Sequence, residues 1–330
     1  MAERPETSPA PPPPAGAHAI SIGLSAVIVA VTGGDPKVLA VRRHALDGLP
    51  SGPLEPEHRT LEAGLRAWVE RQTHQTLGHV EQLYTFGDRD RRETGPAGRR
   101  SLSVAYLALV REARPAGDAD AAWQGWYRYF PWEDRRDGPP AVLDRLAGAL
   151  RLWAGAAPDA RAAEMRRERL SLAFGFGPQI GAAWNEERVL ERYELLYEAG
   201  LVPEALREGA PERGGETVPG VEMAADHRRM LALGIARLRG KIKYRPVVFE
   251  LMPPAFTLLQ LQRTVEALSG IRLHKQNFRR LVEQQRLVEE TGDTTAETGG
   301  RPARLVRFRR EVLLERPAPG VRLPASSRGR

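Results

Sequence analysis

The side chains between His274 and Gln285 are of the types that read the edges of nucleic-acid bases. In this segment (HKQNFRRLVEQQ) Phe278, Leu281 and Val282 have the spacing of one helical face. The remaining faces carry polar and basic residues: Lys275, Gln276, Asn277, Arg279 and Arg280. Arginine pairs with guanine in the major groove, and asparagine or glutamine pairs with adenine. The pattern therefore predicts a DNA-reading helix.

The flanking sequence predicts the elements that position this helix. Residues 257–260 (TLLQ) match a capping box, and an apolar stripe follows it as far as Gly270, where a short turn begins. Residues 247–251 (VVFEL) suggest a short strand before this first helix. Strand, helix, turn and helix, followed by a hairpin, make a winged helix-turn-helix, which we expect over residues 241–312.

The hairpin of this unit is predicted to pair residues 287–290 with residues 303–308. Its loop is rich in glycine and threonine. Arg301, Arg304 and Arg307 would lie on or beside this wing, where they would hold phosphates or enter a minor groove. A winged helix that contacts protein, with Arg279 and Arg280 merely solvated, is the alternative.

The distribution of charge agrees with a nucleic-acid-binding end. The 330-residue chain has a net charge of +7, yet residues 241–330 hold 18 Lys and Arg against 9 Asp and Glu, so the remainder is slightly acidic. An arginine-rich coding bias is the other explanation. The chain has no cysteine, which excludes disulfides and cysteine zinc sites. Its histidines lack zinc spacing, and it has neither a signal peptide nor a long apolar run, so we expect a cytoplasmic protein without a metal site.

The rest of the chain predicts an α+β body and a helical middle. Residues 1–18 form a proline-rich arm, expected to be disordered. Buried strands are predicted at 20–31, 38–41 and 101–110, with helices at Leu61–Thr73 and 140–153, giving a domain over 19–155. Residues 156–240 predict a helical connector with a flexible linker at 207–221, and residues 313–330 predict a basic tail.

Several sequence motifs resemble the Nudix-related transcriptional regulators of NAD metabolism. The most specific are FTLLQLQ (256–262), NFRR (277–280) and GRPARL (300–305). In the body, LEAGLRAWVERQT (Leu61–Thr73) stands where a Nudix box would, EQLYTFGDRDR (81–91) is similar to the segment after it, and residues 131–134 (PWED) look like the longer proteobacterial branch. The resemblance implies an N-terminal Nudix-like α/β/α sandwich, a helical middle segment and a C-terminal winged helix-turn-helix.

The same resemblance implies a function. It indicates a transcriptional regulator, a repressor of NAD biosynthesis genes, that works as a homodimer on a palindromic DNA operator. The effector would be an adenine nucleotide, with ATP, NAD and ADP-ribose left open. No required cofactor is implied. A divergent Nudix hydrolase with an attached DNA-binding domain, and a nucleotide-sensing adaptor that contacts protein, are the alternatives.

The Nudix box departs from the pattern of a working hydrolase. Aligning Leu61 and Val69 with the box puts Ala67 and Trp68 at its Arg-Glu positions. Arg71 and Gln72 then replace its Glu-Glu pair, and His74 replaces its glycine. Hydrolysis in the family needs those carboxylates to bind Mg²⁺. We therefore expect a retained fold without catalytic or metal-binding residues.

A box without acids can still bind a phosphorylated ligand. Basic residues that would contact phosphates are Arg42, Arg43, Arg71, Arg89 and Arg91. Phe86, Trp126 or Trp132 would stack an adenine, although aromatic residues are more often part of a core. Solvation on an outer face is an equally open explanation for Arg71.

Overall fold

A computed structural model describes residues 20–87, 100–111, 120–176, 183–211, 218–296 and 302–315. Its N-terminal part contains strands β1 (Ile20–Thr32), β2 (Asp35–Arg43), β3 (Leu46–Gly48) and β4 (Ser51–Pro53), then helix α1 (Leu61–Thr73). Strands β5 (Val80–Phe86), β6 (Arg100–Leu109) and β7 (Ala121–Gly125) follow. The predicted strands and the helix Leu61–Thr73 are confirmed.

The seven strands form one mixed sheet. Its main path runs β3-β2-β1-β6-β5, with β4 on β1 and β7 on β2. Strands β1 and β6 are parallel, with Ile20 opposite Arg100 and Val29 opposite Leu109, whereas the other pairs are antiparallel. The long parallel pair makes β1 the centre of the sheet.

Both faces of the sheet are buried, because side chains of β1 alternate between two hydrophobic clusters. Leu24, Ala26 and Ile28 pack with Leu65 and Val69 of α1 on one face. On the other face, Val27 and Val29 belong to the larger cluster that includes the middle helices and the C-terminal part. The continuous apolar run of residues 20–31 is therefore that of a strand covered on both sides.

The middle of the chain is helical. Two short 3₁₀ turns (Trp126–Arg128 and Pro131–Glu133) lead to α2 (Val142–Gly155), α3 (Ala160–Phe174), α4 (Val189–Glu198), α5 (Pro203–Arg207) and α6 (His227–Tyr244). Helix α6 lies across the second face of the sheet, where a Cβ on Gly234 would lie 2.9 Å from Val27 Cγ1. The predicted domain boundaries stay predictions, but the sheet needs α6 to cover it.

The C-terminal part contains α7 (Leu258–Ser269), α8 (Lys275–Gln284), the two-stranded sheet of β8 (Val288–Thr295) and β9 (Ala303–Phe308), and α9 (Val312–Glu315). The predicted helix, turn, helix and hairpin are thus present. The strand predicted at 247–251 is wrong: Val247–Leu251 is a 3₁₀ helix. Instead, Phe256 forms an isolated antiparallel β-bridge with Val306 of β9, so it takes the place of a third strand beside the hairpin. No helix among the described residues has the length and apolarity needed to span a membrane.

Candidate nucleic-acid interface and ligand site

Helix α8 presents its polar residues to solvent. Phe278 and Val282 are buried against the core of the winged helix, as their spacing of four predicts. The residues predicted to read DNA are all exposed: Lys275, Gln276, Asn277, Arg279 and Arg280. Within the described part of the chain, only Arg280 and Asn277 of these five share a hydrogen bond, a long one of 3.4 Å. The side chains are therefore available to a partner.

The turn before α8 is held by a buried carboxylate. Helix α7 begins with the predicted capping box, in which Thr257 and Gln260 bond each other's backbone N–H groups at 3.1 and 2.7 Å. It ends at Gly270, whose φ of 74° is left-handed. One oxygen of Glu266 accepts from the backbone N–H of Leu273 at 2.9 Å. These contacts fix where α8 starts relative to α7.

The arginines of the wing are exposed but paired within it. Arg304 donates to Glu290 at 2.7 Å, and Arg307 donates to Glu289 at 2.6 Å. Such exposed ion pairs contribute about 0–1 kcal/mol, so a phosphate can displace the carboxylate at small cost. The phosphate role of Arg304 stays a prediction. Arg301 lies outside the described residues.

Helix α1 has the backbone geometry expected of the Nudix-box position. Thr60 caps its start by accepting from the N–H of Ala63 at 3.0 Å. It ends at His74, whose φ of 52° is left-handed and whose N–H donates to Glu70 O at 2.9 Å. Glycine adopts this conformation most readily. The alignment that puts His74 at the glycine of the box is therefore consistent with the backbone.

Gln72 and Arg71, the residues that the resemblance aligns with the acidic positions of a Nudix box, both have partners within the fold. Gln72 donates to Ser51 O at 2.9 Å and accepts from Ser51 N–H at 3.0 Å. The guanidinium of Arg71 lies 4.3 Å from the ring centre of Trp68 and 3.7 Å from Glu55. In the described part of the chain, no group of three or more His, Cys, Asp or Glu is arranged to hold a metal ion. If the predicted alignment holds, an amide and a guanidinium occupy the positions where Mg²⁺ would need oxygen anions.

Two of the predicted phosphate-binding arginines flank strand β4. Arg43 donates to Ser51 O at 2.9 Å and to Ser51 Oγ at 2.6 Å. Gln72 also donates to Ser51 O, so both side chains bond the same residue. Arg71, on α1, lies 3.7 Å from Glu55, two residues after β4 ends. Arg42 instead bonds the buried Asp47 at 3.2 Å. The structure therefore places Arg43 at β4 and Arg71 beside Glu55, two residues after β4, whereas Arg42 pairs with Asp47.

The aromatic residues predicted to stack an adenine are core residues. Phe86 is 5% exposed and Trp132 is 0% exposed, and Trp126 is equally buried. Each is packed in the large hydrophobic cluster, so none presents a ring face to a ligand. This burial gives no support to the assignment of Phe86 and Trp132 as ligand contacts, which stays a prediction. Arg89 and Arg91 lie outside the described residues.

A buried charge cluster escaped the sequence-based reasoning. The carboxylate of Glu133 accepts from Arg192 Nε at 2.6 Å and from Arg239 Nη1 at 2.6 Å, and all three side chains are 0% exposed. Burial opposes ionisation of Glu133, but the two guanidinium charges outweigh it and hold the pKa of Glu133 below its ordinary value. The only sequence signal was the PWED stretch, because 59 and 106 residues separate Glu133 from its partners.

Comparison with known proteins gives this arrangement a family context. Residues 248–308 match the family model of the NrtR DNA-binding winged helix domain. The ADPR responsive transcriptional repressor NtrR of Acinetobacter baylyi is 42% identical over 88 residues, which are 27% of this chain and 35% of the relative. The match therefore spans about a third of that curated protein's length.

Solved structures match over most of the chain. Shewanella oneidensis NrtR, solved in complex with a 27mer DNA, is 20% identical with a TM-score of 0.53, over 88% of this chain and 94% of the other. A MutT/nudix family protein from Enterococcus faecalis is 15% identical with a TM-score of 0.51, over 93% and 89%. At these identities the likeness shows the fold alone. Residues 248–308 are therefore similar to the NrtR DNA-binding winged helix domain, and the chain as a whole has a fold like that of NrtR, in which a Nudix-like domain precedes the winged helix.

Proposed function

We propose that this chain is a DNA-binding transcriptional regulator whose Nudix-like domain senses a nucleotide without hydrolysing it. The observation that carries the proposal is helix α8: five exposed side chains suited to base edges and phosphates, on the second helix of an NrtR-type winged helix. A similar structure is a complex with DNA, and a relative is an ADP-ribose-responsive repressor. Repression of NAD biosynthesis genes is the corresponding biological role.

The DNA contacts divide into two classes. We assign base reading to Gln276, Asn277, Arg279 and Arg280, because they lie on the exposed faces of the recognition helix. We assign phosphate contacts to Lys275 at the start of α8 and to Arg304 on the wing, with Arg301 as a predicted addition. A homodimer would place two such helices on a palindromic operator with half-sites about one DNA turn apart.

The ligand site is proposed beside strand β4. Arg43 and Arg71 would contact the phosphates of the effector, and Arg42, Arg89 and Arg91 stay predicted contacts. ADP-ribose is the first effector to test, because the curated relative responds to it, and NAD and ATP are the comparison nucleotides. Glutamine and arginine at the acidic box positions support binding without metal, and a hydrolase would need carboxylates there.

The test is a binding titration on DNA from the promoter region of the chain's own gene, with and without ADP-ribose. The proposal expects salt-dependent, saturable binding that ADP-ribose changes. A chain that binds neither this DNA nor an unrelated duplex would contradict it.

A further inference from the structure

Three carbonyls at the end of α7 are bonded by donors from the Nudix-like body and from helix α6. The last carbonyls of a helix have no partner within the helix. Here Ala267 O accepts from Tyr127 Oη at 2.7 Å, Leu268 O accepts from Arg239 Nε at 2.9 Å, and Gly270 O accepts from the N–H of Arg135 at 2.8 Å. Three donors outside the winged helix thus meet the turn that leads into α8.

The approach at this point is as close as a backbone permits. A Cβ on Gly270 would overlap the carbonyl oxygen of Glu133, and it would lie 2.9 Å from both Arg239 Nη2 and Tyr127 Oη. Gly270 also has a left-handed φ, which glycine adopts most readily, so two features of this position favour glycine. The helix-turn-helix and residues 127–135 are therefore fitted to each other without space for a side chain.

The buried cluster uses a carbonyl of α7 as an acceptor for one of its two guanidinium groups. One carboxylate, Glu133, faces two guanidinium groups, so the cluster holds an excess of positive charge. Arg192 directs its remaining N–H groups to Ala173 O and Asn185 O at 2.8 Å. Arg239 directs its Nε to Leu268 O, at the negative end of the α7 dipole. Undocking α7 would remove that acceptor from a buried charge, which is costly.

Helix α6 connects this contact to the neighbourhood of the proposed ligand site. Its first residue, His227, accepts through Nδ1 from the N–H of Leu49 at 2.9 Å, two residues before β4 begins. Arg239 lies 12 residues further along the helix, about 18 Å at 1.5 Å per residue. Helix α6 therefore touches both the link between β3 and β4, near Arg43, and the end of α7.

We propose that Glu133, Arg192 and Arg239, acting through the carbonyls at the end of α7, are the positioning residues that fix recognition helix α8 relative to the Nudix-like domain. Arg239 makes the direct contact, and Glu133 with Arg192 holds its guanidinium in place. A ligand that moves β4 acts on α8 through α6 and this contact. The inference rests on the proposed function, since the orientation of α8 matters only if α8 binds DNA.

The experiment measures the position of α8 directly. The chain has no cysteine, so Glu70→Cys on α1 and Gln284→Cys on α8, both exposed positions, give two unique attachment sites for nitroxide labels. Pulsed electron–electron spectroscopy then yields the distance distribution in the full chain. Arg239→Met is compared with Arg237→Met, the same substitution at an exposed position two residues away on α6.

Arg239→Met leaves Glu133 paired one to one with Arg192, so the fold is expected to persist, with an unchanged far-ultraviolet circular dichroism spectrum. The label distribution should broaden about twofold or more, while Arg237→Met matches the parent. A folded Arg239→Met protein whose distribution matches that of Arg237→Met would overturn the proposal. If Arg239→Met does not fold, Tyr127→Phe decides, with the exposed Tyr84→Phe as its control: a shifted or broadened distribution supports the proposal and an identical one overturns it.

The distances are measured without DNA or nucleotide. A chain that never binds DNA would therefore refute the proposed function while the label distances still report whether these residues position α8. In a DNA-binding parent, Arg239→Met should weaken binding to promoter DNA more than to an unrelated duplex. A winged helix in the wrong position loses its alignment with the operator bases but keeps its attraction for phosphates.

Discussion

Arg239 donates a 2.6 Å hydrogen bond to Glu133 across 106 residues of sequence, and neither side chain is exposed. This hydrogen bond joins the second 3₁₀ turn after β7 to α6. Arg239 also donates from Nε to Leu268 O at the end of α7. The Nudix-like body and the winged helix therefore share a polar contact as well as the large hydrophobic cluster. A flexible tether between two independent domains would have neither.

The pH dependence of stability should report on Glu133. The pKa of this carboxyl is lower in the folded chain than its ordinary value of 4.5. Its contribution to stability is therefore fully present above pH 4.5 and is lost as the pH falls toward the folded pKa. Glu133→Gln should lower the free energy of unfolding at pH 7 by about 3–5 kcal/mol, because two buried guanidinium groups lose their counter-charge.

Urea unfolding between pH 4 and pH 7 measures this difference. The difference in free energy of unfolding between the parent and Glu133→Gln should narrow toward the acidic end. The free energy of unfolding of the exposed variant Glu70→Gln should stay within about 0.5 kcal/mol of the parent throughout. A difference in free energy of unfolding that stays constant with pH would show that Glu133 is not the ionised partner of Arg192 and Arg239.

Arg304→Ala should weaken binding to promoter and unrelated DNA by similar factors. A phosphate contact carries no sequence information, and its removal lowers the slope of log K against log salt by about 1. Anisotropy titrations at several salt concentrations measure both quantities. A loss confined to one operator base would instead assign Arg304 to base reading.

Incubation with Mg²⁺ and ADP-ribose, NAD or ATP should give no turnover. In the predicted alignment, Arg71 and Gln72 occupy the box positions that would carry the metal ligands, and Gln72 is bonded to Ser51. Chromatography of the products over hours measures the rate. Turnover of about 1 s⁻¹ or more, an ordinary enzymatic rate, would make the chain a hydrolase.

ADP-ribose should stabilise the chain without any metal. A ligand at 100 times its dissociation constant adds about 2.7 kcal/mol to the free energy of unfolding. Arg71→Ala should reduce this gain, because it removes a phosphate contact on an exposed side chain, whereas Arg167→Ala, on an exposed face of α3, should not. Thermal-shift curves in EDTA measure the effect. An equal gain in both variants would remove Arg71 from the ligand site.

The parts predicted from sequence are those with local patterns. The spacing of Phe278, Leu281 and Val282 placed α8 to within a residue at each end, and the capping box at Thr257 placed the start of α7. The segment Val247–Leu251 does not form the predicted strand, because its four apolar residues fit a strand and a buried 3₁₀ turn equally well.

Long-range contacts were beyond that reasoning. The rings of Phe86 and Trp132 have the chemistry of a base platform, but burial depends on what α6 and the middle helices cover. The role of Glu133 likewise depends on Arg192 and Arg239, which only the tertiary fold brings together. Composition and spacing carry no information about such partners.

The central claim, that α8 reads DNA, is tested most directly by titrating Arg279→Ala against promoter DNA, with Arg237→Ala on α6 as the control for lost charge. Arg279 is exposed on the recognition helix, and Arg237 is exposed far from it in sequence. Arg279→Ala should weaken specific binding by about 1–3 kcal/mol, and Arg280→Ala by a similar amount, whereas Arg237→Ala should bind like the parent. Unchanged affinity in both α8 variants would contradict the account.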